Sequence, residues 1–173
     1  DNISVATGSM EMRGGNGYIE DWANARLVRD AQVGLLWEGT SNIVALDAIT
    51  RAVARVGAHC ALHEHLSDDM GRSGVETGIR EQIGLALDRA GALAERVAGN
   101  PSLEQYARQA ARGLYDASSA AVMASEGARM ASAGDADRRT RWAQAVLRHR
   151  LSVTDPLAIA DDANNDDPAW LDD

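Results

Sequence analysis

Phenylalanine is absent from this chain of 173 residues, and aromatic residues together make up only 4% of it. That excludes an aromatic-rich interior. A hydrophobic content of 45% still allows one domain with a real core, built mostly from Ala, Leu, Val and Ile. The single cysteine, Cys60, excludes a disulfide within the chain and points to a reducing, cytoplasmic setting. Lysine is absent too, so all 17 basic residues are Arg. No apolar run approaches the roughly 18 residues of a membrane span, and no signal-peptide pattern opens the chain. Strand patterns are almost missing. The net charge of -9 opposes binding to a phosphate backbone by the chain as a whole. The charge is uneven: residues 155–173 carry seven Asp and no basic residue.

What is present is helical periodicity. Residues 3–12 read as a helix that Gly14 and Gly15 stop. Residues 22–31 read as a short helix, while 32–38 fit either an extended or a helical segment. Thr40 or Ser41 can cap a helix carrying Ile43, Leu46, Ile49 and Val53 at helical spacing, predicted to run to about His65. "SDDMGRSG" (67–74) reads as a loop. A long stripe of Ile79, Ile83, Ala86, Leu87, Ala90, Leu93, Ala94 and Val97 predicts a helix over 75–98, ended by "GNP". Ser102 is placed to cap the next helix, which runs to about Ala133 and whose small residues suit close helix approach. After a turn at 134–137, a basic helix runs to about Val153, and an acidic tail follows. The predicted fold class is all-α, an antiparallel helical bundle with short connections.

"GGNGY" (14–18) is weak alone, because no strand precedes it and no helix opens directly after it as a dinucleotide fingerprint requires. It gains meaning with "ARLVRDA" (25–31) and "WEGTSNI" (37–43), in that order and spacing. The ordered set resembles the C-terminal part of the acyl-CoA dehydrogenase family. The resemblance implies FAD as cofactor, an acyl-CoA thioester as substrate, and removal of two hydrogens from its Cα and Cβ. Glu38 corresponds to the family's E-G-T carboxylate, which takes the Cα proton while a hydride passes to the flavin. A carboxylate in a closed apolar site suits that task, since burial raises its basicity. Gly39 is implied to let substrate approach the backbone. Thr40, Ser41 and Asn42 match positions that touch FAD, and so do Glu11, Met12, Arg13, Gly14 and Gly15, whose flavin is bound mainly to a neighbouring subunit. Many members carry Gln where Glu11 stands. Arg26, Arg29 and Asp30 are assigned to ion pairing that fixes the loop before Glu38.

About 130 residues follow Thr40, more than ordinary members have. This is similar to the AidB-like branch, which adds a helical C-terminal domain. The implied organisation is 1–66 as the end of the dehydrogenase helical domain, 67–154 as an additional helical domain, and 155–173 as an acidic tail. The chain would then be a C-terminal fragment, inactive alone. Its partners would be the missing N-terminal and middle domains, or a chain that supplies them, in a homodimer or homotetramer.

The alternative is a non-catalytic helical interaction or DNA-binding module. Arg138, Arg139, Arg141, Arg148 and Arg150, joined by Arg108 and Arg112, would carry DNA binding, against the negative net charge. His59 and His63 are spaced to share a helix face, as zinc ligands do, but no third ligand is obvious on that face. No metal site is expected there. The histidines read as decoration of a helix C-terminus, and Cys60 as buried filler.

Overall fold

The computed structural model describes residues 2–37, 39–134 and 138–152. All eight of its α-helices alternate with turns or short irregular helical segments, and no strand occurs among the described residues. The all-α expectation holds. The chain divides into two compact units, Asp1–Asp47 and Ala48 onward.

The first unit holds α1 (Asn2–Glu11), α2 (Gly15–Tyr18), α3 (Ala23–Val33) and α4 (Ser41–Asp47). Helices α1 and α3 pack together, and the buried Asn24 stitches them. Its Nδ2 donates to Ser9 Oγ at 2.8 Å and to the Ser9 carbonyl at 3.4 Å. Such a satisfied buried amide holds the two helices together at this point. Gly15 does not simply end α1. The chain turns at Gly14 (φ 56°) and Gly15 opens the single turn α2. Gly17 is pressed against α1: a β-carbon there would lie 2.2 Å from the Met10 carbonyl oxygen.

The second unit opens with a π-helical stretch, Ala48–Val53, whose Ile49 and Val53 are buried. The predicted continuous helix to His65 is broken at Gly57, which adopts a left-handed conformation (φ 65°). Helix α5 (Ala58–Ser73) then runs straight through the predicted loop 67–74. The reason is tertiary. Met70 is buried at 1% exposure, and Asp69 pairs with Arg129 from a helix further along the chain. The helix ends instead at Gly74 (φ 77°), and the Val75 amide donates to the Met70 carbonyl at 3.2 Å, a glycine-type stop.

Helix α6 (Thr77–Ala98) buries Ile79, Ile83, Ala86, Leu87, Ala90, Ala94 and Val97, the predicted stripe with Leu93 only half-buried. Asn100, rather than Ser102, caps the next segment: its side chain accepts from the Ser102 amide at 3.0 Å. A 3₁₀ stretch, Pro101–Tyr106, leads into α7 (Ala107–Ser132). Ala110, Ala117, Ala120, Ala121 and Ala124 of α7 have no exposure at all. Their small side chains let α5, α6 and α8 (Arg138–Val146) all pack against α7. The basic helix is shorter than expected, passing into a π-helical stretch, Leu147–Leu151. The acidic tail and the turn residues 135–137 lie outside the described residues.

Candidate functional site

In the first unit the α1–α2 turn presents Glu11, Met12, Arg13, Gly14 and Gly15, all exposed. The Arg13 amide donates to the Met10 carbonyl (3.2 Å) and the Gly14 amide to the Glu11 carbonyl (2.9 Å), closing the end of α1. The Arg13 guanidinium lies over the Trp22 ring at 4.9 Å from the centroid. A β-carbon at Gly14 or Gly15 would meet nothing within 4 Å, so the backbone there is open to close approach.

Glu38 lies outside the described residues, but its flanks are defined. The Trp37 amide donates to the Val33 carbonyl at 2.9 Å, ending the turn after α3. Gly39 has φ 102°, a conformation that side-chain-bearing residues rarely adopt. The Thr40 carbonyl accepts from the Val44 amide at 3.1 Å, so Thr40 stands at the entry to α4 and Ser41 and Asn42 in its first turn. Among the described residues, no hydrogen bond joins residues 11–15 to residues 39–42.

Arg29 differs from expectation in what it holds. Its guanidinium grips Glu20 with two bonds, 2.7 and 3.1 Å, tying α3 to the loop before it rather than to the loop before Glu38. The Arg29 hydrogen bond and charge hold the Glu20 carboxyl below its ordinary range. Arg26 pairs with Asp30 along α3 at 3.7 Å. Both pairs are exposed, so each stabilises little.

In the second unit the arginines expected to meet DNA are partly engaged by the chain's own acids. Arg139 pairs with Glu126, and Arg112 Nε donates to the buried Asp116 at 2.7 Å. Arg112 and Arg150 join Arg89 and Arg96 in lining a groove of about 670 Å³. Sequence reasoning misses Arg89 and Arg96, because they lie on a helix whose charges read as an ordinary solvent face. Two further expectations are corrected. His59 sits in the first turn of α5, not at a helix C-terminus, because the helix restarts after Gly57. Cys60 is exposed, not buried filler.

Comparison with known proteins bears on the first unit and the residues just beyond it. Residues 2–54 match the family described as "Acyl-CoA dehydrogenase, C-terminal domain". The chain is also 43% identical over 47 residues to "Acyl-CoA dehydrogenase family member 11" of Caenorhabditis elegans. That alignment covers 27% of this chain and spans 8% of the relative's length. No solved structure matches. The ordered motifs, their all-helical setting and this match agree: residues 2–54 are similar to the C-terminal domain of the acyl-CoA dehydrogenase family.

Proposed function

We propose that the chain is the C-terminal part of a flavin-dependent acyl-CoA dehydrogenase of the AidB-like branch, with Glu38 as the base. The observation that carries this reading is the E-G-T sequence at the entry to α4, inside the family match, with Gly39 at φ 102° directly after Glu38. Only glycine takes that conformation without strain, which suits a position where substrate comes close to the backbone. In this role the Glu38 carboxylate takes the proton from the carbon next to the thioester carbonyl, and its backbone N–H helps to hold that carbonyl oxygen. FAD, when bound, supplies the hydride acceptor. The exposed Arg13 guanidinium, with no side chain at Gly14 or Gly15 to block close approach, fits an approaching diphosphate. Thr40, Ser41 and Asn42 would contact the cofactor from the start of α4. Glu11 fits only if it turns from the diphosphate or accepts from adenosine hydroxyls.

The first unit also exposes much apolar surface. Met12 is 91% exposed, Trp37 83% and Leu36 70%. Exposed apolar residues at this density support a covering partner, either the enzyme's other domains or further subunits. Residues 67–154, outside the family match, are the added helical domain of this reading.

The test is Glu38→Gln in the full-length protein, following flavin reduction by acyl-CoA in a single turnover. Reduction is expected to slow by about 10²–10⁴-fold; an unchanged rate refutes Glu38 as the base. The 173-residue chain by itself is expected to retain no flavin, and a purified chain carrying about one FAD would overturn that expectation.

A second reading, a nucleic-acid-binding module, rests on the groove lined by Arg89, Arg96, Arg112 and Arg150. Titration of duplex DNA against salt decides it, since phosphate contacts weaken steeply with ionic strength. No binding at low salt removes this reading.

A further inference from the structure

We propose that His59, Cys60 and Glu95 form a binding site for one zinc-class divalent metal ion. Its fourth coordination position opens into the cavity between α5, α6 and α7. His59 and Cys60 stand in the first turn of α5, and Glu95 in the last turn of α6. The α5–α6 connection reverses the chain, so the start of one helix meets the end of the other. Gly91 of α6 lies beside the imidazole: a β-carbon there would make an ordinary contact with His59 Cδ2, at 3.8 Å.

Three donor atoms of different chemistry converge. His59 Nε2 lies 2.8 Å from Glu95 Oε1 and 3.3 Å from Cys60 Sγ, and Sγ lies 4.0 Å from Oε1. Metal–ligand bonds of about 2.0–2.3 Å at tetrahedral angles set ligand atoms roughly 3.3–3.6 Å apart. The three separations bracket that range, so shifts of about half an ångström bring the donors onto a common ion. Two of the three donors are mobile enough for this, because Cys60 is exposed and the Glu95 side chain is 61% exposed. The His59 side chain, only 8% exposed, is the fixed anchor.

The geometry also separates metal ligation from a nucleophilic triad. In a Cys–His–carboxylate relay the thiol and the carboxylate use opposite ring nitrogens. Here both approach Nε2, while the buried Nδ1 has no hydrogen-bond partner. The donors share a centre rather than forming a chain. A thiolate, an imidazole and a carboxylate favour zinc or cobalt over magnesium or calcium.

The adjoining cavity, about 300 Å³, fits an open fourth position. His63, one turn after His59, and Ser118 of α7 line it, and each holds a buried polar atom without a hydrogen-bond partner. His63 Nε2 lies 3.0 Å from Asp88 Oδ1, an ion pair when the imidazole is protonated. These groups would orient a metal-bound water.

The test uses the full 173-residue chain without a tag, reduced and freed of metal by chelation. Titration with Co²⁺ is expected to show one equivalent bound, with a thiolate-to-cobalt charge-transfer band that Zn²⁺ abolishes. Cys60→Ser should remove the band, and Glu95→Gln should weaken Co²⁺ binding by at least about tenfold. Both side chains are exposed, so neither variant endangers the fold. His65→Ala, on an exposed neighbour, should change nothing. Cobalt bound without a thiolate band, affinity undiminished in Glu95→Gln, or no binding at all overturns the proposal.

Discussion

Ile83→Ala is the most decisive perturbation of the second unit. Ile83 has no exposure and sits in the core shared by α5, α6, α7 and α8. Truncating a buried Ile to Ala costs about 2–5 kcal/mol, depending on how far the surroundings collapse. Here much of the surrounding core is alanine: Ala117, Ala120, Ala121 and Ala124 of α7 are fully buried, and their methyls have no rotamers with which to refill a void. The backbone of α7 is also held by helices on several sides. The cost should therefore fall in the upper half of the range, about 3–5 kcal/mol. For a chain of this length each kcal/mol lowers the melting temperature by about 2–4 °C, so the shift should be on the order of 10 °C. Leu85, two residues along the same helix, is 64% exposed, and Leu85→Ala should stay within about 0.5 kcal/mol of the parent. Circular dichroism melts of both variants read the difference. Equal shifts for the two substitutions, or a shift of only a degree or two for Ile83→Ala, would refute the alanine-walled core.

The other predictions concern the turns and one ion pair. Gly17→Ala should displace the α1–α2 turn from α1, because the new methyl meets a backbone oxygen rather than a yielding side chain; full-length protein should then lose flavin affinity, and normal flavin content would contradict this. Gly39→Ala meets only ordinary contacts, Val44 Cγ2 at 3.7 Å and Ile43 Cγ2 at 3.8 Å, so its cost is backbone strain of about 1–3 kcal/mol. Turnover by the full-length enzyme should fall while the melt of the second unit stays unchanged, and unimpaired turnover would count against the E-G-T turn. The hydrogen bond from Arg129 holds Asp69 below the ordinary carboxylate range, with help from Ser125 and the charge of Arg72. A carboxylate with a lowered native pKa contributes stability above the unfolded value of about 3.9 and loses it as pH falls through the native one. The melting gap between the parent and Asp69→Asn should thus be constant near neutrality and close on acidification; a gap that persists in acid would mean that Asp69 acts by packing.

Elements with strong periodicity are legible in the amino-acid sequence alone. The α6 stripe and the short α3 helix stand close to where the spacing of their apolar residues puts them, and strand patterns are nearly absent from the chain. The elements that sequence spacing misplaces are those whose stability comes from another helix. "SDDMGRSG" looks like a loop because Gly71, Ser73 and Asp68 are poor helix residues, yet Met70 in the core and Asp69 on Arg129 keep it helical. The break at Gly57 is hidden because the apolar spacing continues across it. Of the candidate sites, the family motif is readable in one continuous stretch. Glu95 is not, since it lies 35 residues after Cys60 and has no spacing relation to it.

The sequence by itself determined the helical class, the main apolar stripe and the motifs of the segment that matches the acyl-CoA dehydrogenase family. These depend on local periodicity and on motifs that a short stretch carries whole. Only the tertiary structure decided that α5 persists to Gly74, that Gly17 admits no side chain, and that His59, Cys60 and Glu95 meet. Each of those depends on which helix faces which across the bundle, a distance that no one-dimensional spacing encodes.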